Sequence, residues 1–300
     1  MFARCSARQT QAARIESKRT LGPQQYARRR RWGPEAAPKG KRTWILTIPQ
    51  SLERAAANLA KTKPLVRHQK ALPDGSKPQL RRYEVASLLP NGNPTETRHI
   101  APALPLFEQA FTAFTRGSLI ETDYGPVAIE DLYPGDRVLT RDGSYQTLIW
   151  KGMTTMVPGH QAATGGPLSM TSFMADSFGM EKPMSCVVTG PAARLLRTPM
   201  HLRHAEGDSP LLTPVTEFID GMNIVETTPP TPIDMYHLCL AKHAVIKVGG
   251  LEFETYHPGP EALRLVSYPI KTLFLNMFPH ADKISDFGPL AFDRARTTQA

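Results

Sequence analysis

Residues 113–143 read AFTRGSLIETDYGPVAIEDLYPGDRVLTRDG, and the texture of this stretch decides the fold class. Short β-prone pieces (GSLIET, GPVAIEDL, GDRVLTRDG) alternate with Gly, Pro and Asp-Gly turn signals. The same rhythm continues through SYQTLIWKG, SCVVTGPAARLLR, NIVETTP, IDMYHLCLAKHAVIKVGG and LEFETYHPG. Arg141–Ser144 joins two alternating segments as a hairpin. The 28 prolines disfavour long helices. A regular series of short strands predicts a mainly β fold: a sandwich, a barrel or a compact curled sheet, with few short helices.

Upstream, Arg81–Ala101 (RRYEVASLLPNGNPTETRHIA) predicts a β-hairpin, because Asn91-Gly92 is a strong two-residue turn signal. Pro105–Phe114 places Leu106, Phe107, Ala110, Phe111 and Phe114 at helical spacing, which predicts an amphipathic helix packed on the next domain. Further back, Thr43–Pro49 reads as a strand and Gln50–Lys63 as a helix capped by Ser51 and ended by Pro64. Downstream, Tyr268–His280 carries Ile270, Leu273, Phe274 and Met277 at helical spacing and predicts a terminal helix over the sheet. The expected organisation is a disordered basic tail over 1–42, an extension over 43–110, a β domain over 111–260 and a helical extension over 261–300.

Charge is divided unevenly. Residues 1–100 hold 21 Lys and Arg against 6 Asp and Glu, whereas the remaining two hundred residues carry a net charge of −6. Arg28–Arg31 could displace counterions from a phosphate backbone, but no recognisable nucleic-acid-binding fold or second basic stripe accompanies it, so nucleic acid is not an expected partner. Charge runs of this kind are usually solvated tails. Three cysteines, Cys5, Cys186 and Cys239, make no disulfide framework and favour a reducing compartment, read as cytoplasmic. The first residues lack the apolar stretch of a secretory signal, and no run is long and apolar enough to span a membrane.

The opening stretch resembles the start of Hint domains, the Hedgehog/intein self-processing fold, in a bacterial subgroup that begins Cys-Phe-x-x-Gly-Thr and continues into Leu-x-Pro-Gly-Asp. Gly117-Ser118 matches the Gly-Thr, and Leu132–Asp136 matches the turn. Met235–Gly259 (MYHLCLAKHAVIKVGGLEFETYHPG) is similar to the closing hairpin of such domains. The resemblance covers roughly residues 111–260. It implies an all-β, horseshoe-like disc in which the first and last strands run together through the centre.

It also implies a chemistry. An active member attacks the peptide bond before its own first residue with a thiol or hydroxyl. A His from a Ser/Thr-x-x-His block protonates the departing amide, and backbone donors hold the oxyanion. In the intein branch a terminal Asn, beside a His, then cyclises. Carried onto this chain, the nucleophile falls on Ala113, the central Ser/Thr on Gly190 and its His on Ala193. The penultimate His falls on His257 and the terminal Asn on Pro258, while His237 and His243 fit the closing hairpin. The reading is a catalytically degenerate scaffold or binding protein with an unidentified protein partner and no cofactor. The alternatives are residual cleavage near Thr112–Ala113, with Thr112, Thr115 or Ser118 as substitute nucleophile, and a nucleic-acid role for the tail.

Other signals have bland readings. His237, Cys239 and His243 form H-x-C-x3-H, and with His257, His201 or His204 could start a zinc site, but the resemblance accounts for the histidines without a metal. His201–His204 reads as a polar surface loop. Asp136 reads as a turn-closing acceptor. Glu252 and Glu254 read as the solvent side of a strand, and the methionines between Met153 and Met235 as core filler.

Overall fold

The computed structural model describes residues 79–158, 169–206 and 209–296. The basic tail, the strand expected over 43–49 and the helix expected over 50–63 lie outside the described residues. Among the described residues there are fifteen strands. The first six are β1 (Leu80–Leu88), β2 (Pro94–Pro102), β3 (Phe114–Thr115), β4 (Leu119–Thr122), β5 (Gly125–Ala128) and β6 (Arg137–Leu139). The long β7 (Tyr145–Met156) precedes β8 (Met170–Phe173), β9 (Val187–Thr189), β10 (Arg194–Leu196) and β11 (Leu212–Pro214). β12 (Ile224–Thr227), β13 (Ile233–Leu240), β14 (Val245–Val248) and β15 (Leu251–Glu254) complete the set. Three α-helices accompany them: α1 (Pro105–Glu108), α2 (Met200–Glu206) and α3 (Tyr268–Leu275). The protein is all-β in class.

β7 organises the sheet. Leu148, Trp150, Gly152, Thr154 and Met156 point inward on alternate residues, the period that a half-buried strand requires. Its first residues pair with β6, and the path continues through β4, β14, β15 and β10 to β11. Its second half pairs with β13 on one side and with β1 on the other. From β13 the order runs β3, β9, β8 and β12. Every pairing between these strands is antiparallel, and β1 brings β2 with it over a full nine-residue register.

Two buried cores result. One lies within the segment resembling the self-processing fold and includes Ala113, Phe114, Ile120, Leu132, Leu238 and Phe253. The other is assembled from both flanks: Tyr83, Phe107 and Phe111 before residue 113, with Ile270, Phe274, Phe278 and Phe287 after residue 260. Trp150 sits between them, stacked on Phe278 at 4.7 Å, edge-on to Phe111 at 5.3 Å, and donating its indole N–H to the Met277 carbonyl at 2.7 Å. A fully buried aromatic of this size is worth about 3–5 kcal/mol against truncation to alanine. The buried pair Arg81–Glu108 at 2.9 Å fastens β1 to α1.

The expected hairpin is β1–β2, and Asp136 closes its turn by accepting the Tyr133 N–H at 2.8 Å. Three local expectations are corrected. The helix expected over 105–114 ends after one turn at Glu108, because β3 captures the chain: the Ala113 N–H donates to Tyr236 and Phe114 pairs with both β13 and β9. His201–His204 is part of α2, not a loop. Glu254 is 4% exposed instead of solvated, because cationic and imidazole donors converge on it from residues 194, 243 and 294. The methionines divide: Met156, Met170 and Met235 form a small buried cluster, while Met180, Met184, Met200 and Met222 are exposed.

Candidate functional site

The front of the site is the bond between Thr112 and Ala113. Ala113 is fully buried; its N–H donates to the Tyr236 carbonyl at 3.1 Å and its carbonyl accepts the Gly190 N–H at 2.8 Å. The Thr112 carbonyl accepts the Ala192 N–H at 3.2 Å. The turn Gly190–Ala193, between β9 and β10, therefore clasps the bond with main-chain donors. Gly190 permits this approach: a Cβ there would stand 2.1 Å from the Thr112 carbonyl oxygen and 2.3 Å from the Met235 Cε. The hydroxyls nearest the bond are engaged, Thr112 donating to the Glu108 carbonyl at 2.8 Å and Thr115 to the Val188 carbonyl at 3.1 Å.

The rear of the site is a buried polar network around Glu254. Its Oε1 accepts from His243 Nε2 at 3.0 Å and from Arg294 Nε and Nη2 at 3.0 and 2.7 Å, while Arg194 Nε lies 3.5 Å from Oε2. Burial pushes the Glu254 carboxyl upward, but the His243 hydrogen bond and the Arg294 and Arg194 charges outweigh it and hold the group below its ordinary value. His243 Nδ1 accepts the Ala291 N–H at 2.8 Å, so Nε2 carries the proton it gives to Glu254. His257 is fixed in the same sense: Nδ1 accepts the Gly259 N–H at 2.9 Å and Nε2 donates to the Gly288 carbonyl at 3.0 Å. Burial lowers its affinity for a second proton, only partly offset by the Gly288 carbonyl.

Between front and rear lies a pocket lined by Ala193, His237, Tyr256, His257, Pro258 and Arg294. Its volume is about 50 Å³, room for a few waters and not for a peptide. His237 faces Phe114 and Tyr256 at 5.7 and 5.2 Å, and burial holds it neutral, with a pKa pushed down to about 3. Ala193, His237, His257 and Pro258 thus share one pocket; Ala113 and Gly190 adjoin it through the clasp, and His243 stands behind it, 5.2 Å from the His257 ring. Cys239 is in the flanking core, 3.8 Å from His280, its thiol pushed up to about 12 by burial. His201 contacts Glu217 at 3.3 Å. Among the described residues no group of His, Cys, Asp or Glu is arranged to hold a metal ion, and no helix is long and apolar enough to cross a membrane.

Glu254, Arg194 and Arg294 are the site residues that sequence reasoning missed. Arg294 lies forty residues beyond Glu254 in a segment with no local motif, so nothing in the string joins them.

An antiparallel β domain whose first strand meets its closing hairpin at a buried His-lined pocket belongs to the architecture of self-processing domains. Residues 112–260 match the family described as Hint domain, and this segment of the chain belongs to that family. Similar solved structures include a bacterial intein-like domain from Clostridium thermocellum, 11% identical, covering 48% of this chain and 99% of that one at a TM-score of 0.34. The MchDnaB-1 intein is 13% identical, covering 48% of this chain and 100% of that one at a TM-score of 0.29. Its N145AA form scores 0.31 over the same shares. No curated protein matches the chain.

Proposed function

We propose that this is a non-cleaving Hint protein, a scaffold in which the flanks that self-processing would release are held as permanent parts of the fold. One observation carries the reading: the Thr112–Ala113 bond, immediately before β3, is clasped by main-chain hydrogen bonds to Tyr236, Gly190 and Ala192 and has no thiol or hydroxyl on its C-terminal residue. Cleavage there needs a nucleophile on Ala113 and a proton donor near the departing Ala113 nitrogen. Ala113 offers a methyl group, and so does Ala193 at the position expected of the donor. The retained histidines support the same conclusion. His243 and His257 spend both ring nitrogens on fixed partners, and His237 is held neutral among aromatic rings.

A nucleophile displaced to Thr112 or Thr115 is disfavoured, since both hydroxyls donate to backbone carbonyls. Intact-mass measurement of the purified full chain tests the reading. The expected result is one 33.2 kDa species that persists through incubation with thiol or hydroxylamine. A fragment beginning at Ala113 would overturn it. Ala113→Cys alone is also expected to remain whole in hydroxylamine, and Ala113→Cys with Ala193→His to become hydroxylamine-sensitive. Cleavage of the single variant would show that one of the retained histidines still donates.

A further inference from the structure

The N-terminal hairpin does more than extend the sheet; it creates a groove that the Hint segment alone does not have. β2, β1, β7 and β13 place Arg98, Glu84, Met153 and Tyr236 on one rung of the sheet. Two residues along, Glu96, Ala86 and Lys151 form the next rung on the same face. The small Ala86 leaves the floor open, and Glu130, from the 3-10 turn Ile129–Asp131, walls one side. The groove has a volume of about 520 Å³, tenfold that of the His-lined pocket.

Its polar groups are not equivalent. Lys151 is committed, its ammonium donating to the carbonyls of Ile129, Glu130 and Leu132 and standing 5.9 Å from the centre of the Tyr236 ring, so its protons are spent on the turn. The carboxylates are held only loosely. Glu84 lies 3.5 Å from both Arg82 and Arg98, and Glu130 lies 3.4 Å from Arg116, all three arginine side chains being about two-thirds exposed or more. Exposed pairs of this kind are weak and exchange readily. Glu130 also accepts the Gly117 N–H, and Glu96 accepts the Tyr133 hydroxyl.

Tyr236 supplies the second, independent observation. It is only 6% exposed and lines this groove, yet its hydroxyl has no hydrogen-bond partner among the described residues. The ring is packed away while the hydroxyl opens on the groove, where a ligand donor can take the place of water. Burial, reinforced by Asp234 and Glu130, pushes its pKa up to about 12, so it stays a neutral phenol with lone pairs to offer.

We propose that the groove binds an organic cation, a primary ammonium or guanidinium head on a flexible aliphatic stem. The head donates to the Tyr236 hydroxyl and to Glu84 and Glu130, displacing their exposed arginines, and the stem lies over Met153 and Ala86. Free polyamines and lysine or arginine side chains carry the same head, so the two sources are separated by experiment. The inference rests on the uncut chain proposed above, because β1 and β2 precede the Thr112–Ala113 bond.

Calorimetric titration of the full chain with spermidine, and separately with a short acetylated Gly-Lys-Gly amide and its Arg counterpart, tests it. Saturable binding of at least one is expected, and which one binds identifies the source. Glu84→Gln is expected to weaken it about tenfold or more, the loss of one charge-assisted hydrogen bond. Tyr236→Phe, which keeps the ring and removes only the hydroxyl, is expected to weaken binding severalfold while leaving the melting temperature close to the parent value. No binding by any probe, or undiminished binding by both variants, overturns the site. Intact mass from the same sample separates the two readings: an intact chain that does not bind refutes the groove alone, and a chain cut at Thr112 refutes the scaffold.

Discussion

The front and rear of the pocket are closed by opposite means. At the front, around Thr112–Ala113, the side chains of Ala113, Gly190 and Ala193 are only hydrogen or methyl, and main-chain hydrogen bonds fill the space. At the rear, polar side chains remain, but each is saturated by a segment that follows the family-matched region: Gly288, Ala291 and Arg294 engage His257, His243 and Glu254. On the non-cleaving reading proposed above, the contrast gives two ways for a site to be inert. A reactive group can be absent, or it can be present with no free lone pair or proton. The second is conditional, since it lasts only while the C-terminal segment stays docked.

The largest effect is expected at the rear. Glu254→Ala strips the partner from two partly buried guanidinium groups, and a loss of about 3 kcal/mol in unfolding free energy is expected by denaturant titration. Arg294→Met, which removes one cation and leaves Arg194 on the carboxylate, should cost less. If Glu254→Ala left stability unchanged, the rear would be solvated surface and the contrast would fail. At the front, Gly190→Ala must push aside the Thr112 carbonyl, with an expected cost of about 1–3 kcal/mol. A neutral outcome would mean that the clasp is loose.

Acid sharpens the same distinction. His237, His257 and His280 have pKa values lowered in the folded protein from an ordinary 6.5. The unfolded chain therefore takes up protons that the native state refuses, and stability present above that value falls as pH drops below it. For His237 the loss reaches roughly 2 kcal/mol at pH 5. Glu254, lowered from 4.5, adds a loss of the same sign below that value. His237→Phe should flatten the melting-temperature profile between pH 6.5 and pH 5; an unaltered slope would place the proton uptake elsewhere.

How much of this was legible in the sequence follows from how local each signal is. The hairpin β1–β2 and the turn at Asp136 were readable because turn geometry is written in adjacent residues such as Asn91-Gly92. That Ala113 carries no thiol or hydroxyl is plain in the sequence, and the proposal that the nucleophile's position falls there rests on the contiguous block around it. The early end of α1 was not, since the helical spacing of Phe111 and Phe114 is overridden by pairing with β13 and β9, whose residues lie more than seventy positions away. Glu254 alternates with Phe253 as a solvent-facing residue would, and only the arrival of Arg294 makes its burial possible. Nor does any motif announce the cation groove, which exists because a rung of four strands sets Glu84 beside Tyr236.

The account stands on the flanks and the Hint segment being one cooperative unit. Native-state hydrogen exchange on the full chain tests this most directly, comparing the amides of Val85 in β1 and Phe274 in α3 with that of Leu238 in β13. Opening free energies that converge on the global unfolding value at all three positions are expected. Exchange at Val85 or Phe274 through a much cheaper opening, with Leu238 still protected, would mean that the flanks are detachable appendages and would contradict it.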